Sequence, residues 1–137
     1  MTVGLVIVSH SARLARGVAE LAEQMAQGKV AIAAAGGTAD GALGTSVEKI
    51  LEALHAVDGP DGILVLLDLG SAVMATEMAV EAFAPDWQHH IVISPAPLVE
   101  GAVIAAVSTE SLICLKRRTG PMAIPGEIAS TRVGSIV

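Results

Sequence analysis

Four short apolar runs, each unbroken and each stopped by polar or glycine residues, constrain this chain more than any other feature. Val3 to Val8 stops at Ser9-His10-Ser11, and Val30 to Ala35 stops at Gly36-Gly37. Ile63 to Leu67 stops at Asp68-Leu69-Gly70-Ser71, and Ile91 to Ile93 at Ser94-Pro95-Ala96-Pro97. A run that is apolar at every position has no wet face, so these read as strands covered on both sides, the mark of parallel pairing. None approaches the ~18–20 residues of a membrane span, so no membrane contact is expected.

Between the runs the period changes. Leu14, Val18, Leu21 and Met25 are spaced four, three and four apart, which predicts a helix with Gly28 as its stop. Thr45-Ser46-Val47-Glu48 matches a capping box with Thr45 as N-cap, and Val47, Ile50, Leu51 and Leu54 form the stripe behind it. Val73, Met74, Met78 and Val80 predict a third helix closed by Pro85, and Val99, Val103, Ile104 and Val107 a fourth over Leu98 to Val107. Strand alternating with helix four times predicts an α/β fold: an open, doubly wound, mostly parallel sheet of four to five strands with helices on both faces.

Length and composition narrow the functions open to such a fold. At 137 residues the chain is one ordinary domain. With one Trp, one Phe and no Tyr the core is aliphatic, and base-stacking platforms are excluded. Eight basic against fourteen acidic side chains leave a net charge of -6, which repels a phosphate backbone, so no nucleic acid is expected as partner. A single cysteine, Cys114, fits a reducing, cytoplasmic setting. Met1-Thr2-Val3-Gly4 carries no basic stretch, so no signal peptide is expected.

In doubly wound sheets ligands gather beyond the carboxyl ends of the strands. The four segments that meet there contribute the His10 imidazole, the Asp68 carboxylate, several hydroxyls and a glycine loop, but no cationic cluster. An imidazole at a helix start can serve as base, metal ligand or nucleophile. Asp68 has two readings, an N-cap for the helix starting near Ser71 or a carboxylate that orients the His10 tautomer. The loop Gly36 to Gly44 lacks the Gly-Lys-Ser/Thr of a P-loop and the G-x-G-x-x-G of a dinucleotide site. It is either a surface loop or a flap giving N–H groups to a phosphoryl group. His89 and His90, adjacent at the start of a strand, point to opposite faces and make no metal pair. His55 reads as a solvated residue at a helix end, and Cys114 has no base near it in sequence.

Val6-Ile7-Val8-Ser9-His10-Ser11-Ala12-Arg13, Leu66-Leu67-Asp68-Leu69-Gly70-Ser71-Ala72 and Pro95-Ala96-Pro97-Leu98-Val99-Glu100-Gly101 together resemble one family. It is that of the phosphotransferase subunit of the bacterial dihydroxyacetone kinase, a relative of the mannose-type enzyme IIA domains. The resemblance covers residues 1–109, including the Gly44-Thr45 step. It implies that His10 is phosphorylated on Nε2 by the phosphocarrier protein HPr and passes the group to ADP on a partner kinase subunit, while a further subunit carries dihydroxyacetone. It implies too that Asp68 orients the imidazole, and that the chain is a cytoplasmic homodimer. The candidate phosphoryl-binding set is Ser9, Ser11, Gly44, Thr45, Gly70 and Ser71. No cofactor and no metal are expected. Some relatives fuse further phosphotransfer domains to this one, so here the phosphate is expected from a separate donor protein.

Residues 110–137 depart from the family pattern. Residues 1–115 hold four basic and thirteen acidic side chains, whereas residues 116–137 hold four basic and one acidic, so the sign flips from -9 to +3. Pro121, Pro125 and three glycines make this stretch a poor core segment. A partner-docking arm, a crystal-contact arm and a product of an altered reading frame remain open for it. Three rival functions stand beside the phosphotransfer reading: a sugar-transporting mannose-type enzyme IIA, a small α/β tetrapyrrole metal chelatase, and a non-enzymatic dimeric regulator.

Overall fold

A computed structural model describes residues 3–83 and 91–108. Eight elements alternate along them: β1 (Gly4–Ser9), α1 (Ala12–Ala26), β2 (Ala31–Gly36), α2 (Val47–Ala56), β3 (Ile63–Leu67), α3 (Ala72–Phe83), β4 (Ile91–Ser94) and α4 (Leu98–Val107). The four strands form one all-parallel sheet in the order β2-β1-β3-β4. Helix α1 packs beside α4 and α2 beside α3, which puts two helices on each face. The doubly wound α/β expectation holds, with four strands among the described residues. His89, His90, Pro85, Cys114 and the segment 110–137 lie outside the described residues.

Three of the four continuous apolar runs are buried throughout as expected, whereas β2, at the sheet's edge, leaves Ala31 and Ala34 exposed and Ile32 and Ala33 half-buried, because only one neighbouring strand flanks it. Leu5, Val6, Ile7 and Val8 of β1 and Val65 of β3 are fully buried, because both sides of the sheet are covered by helices. The helical stripes differ from expectation. In α1 the buried residues are Ala15, Val18, Ala19, Ala22 and Ala26, whereas Leu14, Leu21 and Met25 remain 43, 41 and 48 % exposed. Small side chains let the helix axis lie close to the sheet, and the larger ones are turned to its flank. In α4 the buried set is Leu98, Gly101, Ala102, Ala105 and Ala106, with Val99 and Val107 exposed, and in α3 Met74 and Met78 are exposed. Period analysis weighted by size selects Leu and Met, but contact with a flat sheet selects Ala and Gly.

Two helix ends also differ. The cap of α2 is Ser46, not Thr45: its Oγ accepts from the Lys49 N–H at 3.3 Å and donates to Glu48 Oε2 at 3.0 Å. The cap therefore sits one residue later than the expected box, and Glu48 reaches the cap's hydroxyl. Helix α1 turns left-handed at Gln27, φ 52°, one residue before Gly28.

Candidate functional site

The register of the two central strands builds the site. Val8 of β1 pairs with Leu67 of β3, and the Asp68 N–H continues the ladder by donating to the Val8 carbonyl at 3.2 Å. The residues that follow these strand ends, Ser9-His10 and Asp68, are therefore neighbours although nearly sixty positions apart in sequence. On the other side Ser9 pairs with Gly36 of β2, which brings the glycine loop to the same edge. Three of the four segments expected to converge thus meet around His10.

Asp68 is surrounded by donors. Its Oδ1 accepts from His10 Nδ1 at 3.0 Å and from the Leu69 N–H at 2.7 Å. Its Oδ2 accepts from the His10 backbone N–H and from the Ser9 hydroxyl, both at 2.9 Å. Burial by itself pushes the Asp68 carboxyl up, but the bonds from His10, Ser9 and Leu69 outweigh it and hold the group below the usual carboxylate range. An ionised carboxylate only accepts, so His10 Nδ1 carries the proton, and in the neutral ring Nε2 presents a lone pair. Nε2 meets the Ser71 hydroxyl at 2.9 Å, which donates to it. The His10 side chain is 25 % exposed against 13 % for Asp68, so the ring spans from a sheltered carboxylate to an open mouth.

Of the two readings open for Asp68 in the sequence, the carboxylate contacts lie with the imidazole side: its oxygens meet His10, Ser9 and Leu69, and α3 begins only at Ala72.

The remaining candidate residues occupy different positions around this line. Ser9 is wholly buried, its Oγ accepting from the Ser11 N–H at 3.0 Å while donating to Asp68. Ser11 is the N-cap of α1, its Oγ accepting from the Leu14 N–H at 3.2 Å. The Gly44 N–H donates to the His10 carbonyl at 2.8 Å, which ties the glycine loop to the site. Thr45 is half-buried beside it, and Gly70 is exposed next to Ser71. Contact with the imidazole thus comes from Asp68 and Ser71, with Ser9 behind Asp68, Ser11 behind Ser9, and Gly44 on the His10 main chain.

The glycine loop is ordered by its own bonds. The Thr38 N–H donates to the Ala42 carbonyl at 2.9 Å, the Ala42 N–H returns to Thr38 Oγ1 at 3.0 Å, and the Thr38 hydroxyl donates to Asp40. Gly37 and Gly41 adopt φ of 74° and 87°, where a side chain would be strained. Lys49 Nζ donates to the Gly36 carbonyl at 3.2 Å. This places a cation at the end of β2 that the sequence reading did not assign; its position in the first turn of α2, just after the loop, was the available signal.

Around the mouth the surface is apolar. Leu43, Leu69 and Met74 are 80, 59 and 73 % exposed, on the glycine loop, the β3–α3 turn and the first turn of α3. Next to them a cleft of about 460 Å³ opens between the ends of β3 and β4, lined among others by Leu67, Asp68, Val73, Ile93 and Pro97. His55 is exposed in the last turn of α2 and meets the Phe83 ring edge-on at 4.8 Å. Among the described residues no group of three His, Cys, Asp or Glu side chains could hold a metal ion, and no helix is long and apolar enough to cross a membrane.

The family model EIIA-man, described as PTS system fructose IIA component, matches residues 4–117. The phosphoryl donor subunit DhaM of the PEP-dependent dihydroxyacetone kinase of Escherichia coli (strain K12) is 45% identical over 112 residues, covering 80% of this chain and 24% of that protein. The DhaM subunit of the PEP-dependent dihydroxyacetone kinase 2 of Listeria innocua is 36% identical over 107 residues, 78% of this chain and 86% of that protein. The chain thus spans about a quarter of the length of the Escherichia coli relative but most of the Listeria one. The crystal structure of a protein of unknown function, EF1359, superposes with a TM-score of 0.71 at 32% identity, covering 98% of this chain and 95% of that one.

Proposed function

The chain belongs to the EIIA-man family, and on that premise we propose that it is a phosphohistidine carrier, loaded on His10 Nε2 by HPr and unloaded to ADP on a dihydroxyacetone kinase subunit. The observation that carries this reading is the 3.0 Å contact of His10 Nδ1 with the Asp68 carboxylate, which assigns the proton to Nδ1 and leaves the nucleophilic lone pair to the nitrogen that faces the mouth.

In the loading step the lone pair of Nε2 attacks phosphorus, and the P–Nε2 bond forms as the bond from phosphorus to the donor's leaving group breaks. The leaving group keeps the electron pair, and the Nδ1 proton stays where it is. The phosphorylated ring then carries positive charge, which the Asp68 carboxylate offsets at 3.0 Å. Phosphoryl transfer asks a protein for positioning and for stabilisation of charge on the equatorial oxygens. The Ser71 hydroxyl, which donates to Nε2 in the free protein, turns to a phosphoryl oxygen once phosphorus takes its place. Gly70 and Thr45 complete this grip, and the modest number of cations suits a carrier that must release its load.

The function of the Escherichia coli and Listeria innocua relatives supports the dihydroxyacetone kinase as acceptor. The apolar rim of Leu43, Leu69 and Met74 supports alternating protein partners, and we assign the chain a cytoplasmic homodimer. We read residues 1–109 as the phosphotransfer domain and 110–137 as divergent in sequence, with the family match running on to residue 117. The test is incubation with phosphoenolpyruvate, enzyme I and HPr. An acid-labile phosphate should map to His10 and be absent in H10Q, and addition of ADP-loaded kinase subunit should discharge it. Phosphate that persists with the kinase subunit but flows to a sugar-transporter domain would assign the chain to sugar transport instead.

A further inference from the structure

Ser9 ends β1 fully buried, with its hydroxyl turned away from the mouth. We propose that Ser9 is a positioning residue: its hydroxyl fixes the plane of the Asp68 carboxylate, and through it the tautomer and direction of the His10 ring. This replaces its expected role as a phosphoryl contact. The consequence for transfer rests on the phosphohistidine reading, whereas the consequence for the ring rests on geometry alone.

A serine hydroxyl has one proton and a free rotor. Here the rotor is set from behind. The Ser11 N–H, at the start of α1, donates into Oγ at 3.0 Å, and Asp68 Oδ2 lies 2.9 Å away on the other side. The ionised carboxylate has no proton to give, so the hydroxyl proton lies on the line to Oδ2. Oδ2 also accepts the His10 backbone N–H at 2.9 Å. The terminal torsion of an aspartate is broad and roughly two-fold when nothing restrains it. Two donors on Oδ2, one from the chain and one from a buried side chain, remove that freedom. Oδ1 is then presented to His10 Nδ1 at 3.0 Å in one orientation.

The bonds run in one line, from the α1 N-terminus through Ser9, Asp68 and His10 to Ser71 at the surface. The carboxylate and the ring therefore stand between Ser9 and any group on Nε2. Without the Ser9 hydroxyl, Oδ2 keeps one donor, and the Ser11 N–H loses its acceptor. The carboxylate, still held by the His10 and Leu69 N–H groups, is fixed less tightly, and the Nδ1–H tautomer loses part of its preference.

The test compares S9A and S9T by nitrogen NMR of the His10 ring and by the rate of phosphoryl uptake from phosphorylated HPr. Thr keeps the hydroxyl and suits a strand end, so S9T is expected to retain the Nδ1–H spectrum and an uptake rate within about 3-fold of wild type. S9A is expected to show a measurable Nε2–H population and a rate about 10-fold or more lower, the usual size for an outer partner of a working histidine. Should S9A not fold, S9C fills the site with a weak donor and is expected to behave as S9A. A wild-type ring spectrum in S9A or S9C, or a spectrum in S9T as displaced as theirs, would overturn the proposal. Wild-type protein that takes up no phosphate would sink the carrier reading alone, because the ring spectrum needs no phosphate and still judges Ser9.

Discussion

Asp68 grips His10 twice, one carboxylate oxygen accepting the ring Nδ1–H at 3.0 Å and the other the backbone N–H at 2.9 Å. Ring and main chain of the same residue are thereby referenced to one rigid group. The nucleophile cannot turn its reactive nitrogen inward without breaking a bond to an ionised acceptor, and such bonds are about twice as strong as neutral ones.

Removing that grip should cost both rate and stability. In D68N the amide can no longer accept at both oxygens, and phosphoryl uptake on His10 is expected to fall by about 100-fold or more, by analogy with orienting carboxylates elsewhere. In D68A the buried Ser9 hydroxyl and the part-buried His10 backbone N–H also lose their acceptor. The expected cost is about 2–4 kcal/mol, from buried donors left unmade at about 1–3 kcal/mol each. Rapid-quench transfer and urea unfolding check the two numbers; rates within 3-fold of wild type would refute the role.

The acid limb of stability should follow the same carboxylate. Asp68 binds a proton less readily folded than unfolded, so in acid the unfolded chain takes up more protons and stability rises with pH. The contribution is complete above the unfolded carboxylate value near ~3.9 and is lost as pH falls through the lower folded value. Wild type and D68A should therefore differ most in urea midpoint at neutral pH and converge in strong acid. A constant difference across the range would contradict this.

Ser71 is exposed, so its loss should barely touch the fold. S71A is expected to change stability by less than about 0.5 kcal/mol. Its phosphorylated form should hydrolyse faster and load about 10-fold more slowly, as a donor to the transferring group disappears. Unchanged loading and hydrolysis would remove Ser71 from the site.

Gly36 is needed for a close approach. A Cβ there would stand 2.5 Å from the Ser11 carbonyl and 2.8 Å from Ala12 Cα, both backbone atoms at the start of α1. G36A should destabilise by about 1–3 kcal/mol, the range of overpacking, and should slow loading, because α1 carries the amide that sets Ser9. A G36A protein as stable as wild type would show that α1 is free to shift.

The rim should act on encounter rather than on chemistry. L69E and M74E place charge on residues 59 and 73 % exposed. Each is expected to raise KM for the phosphorylated donor several-fold while leaving kcat and the melting temperature unchanged. A fall in kcat alone would place these residues in the chemistry.

Much of this was legible along the chain. Unbroken runs such as Ile63 to Leu67 can be satisfied only in a sheet with both faces covered, so β1 to β4 and the doubly wound fold follow from hydrophobic pattern. His10 and Asp68 were legible as polar residues at strand ends. The faces of α1 and α4 were not, because the period identifies a helix but not which of two apolar flanks meets the sheet. Ala15, Ala19 and Ala22 won that place over Leu14 and Leu21 by size.

The sequence by itself determined the order of the described elements and put the His10 imidazole and the Asp68 carboxylate at strand ends, since both depend on local pattern and composition. Only the tertiary structure decided that Ser9 faces inward to Asp68 while Ser71, sixty-one positions beyond His10, meets its Nε2. Those choices depend on the register between β1 and β3 and on the angle at which each strand leaves the sheet, and a parallel register is set by packing of the whole core rather than by any nearby turn.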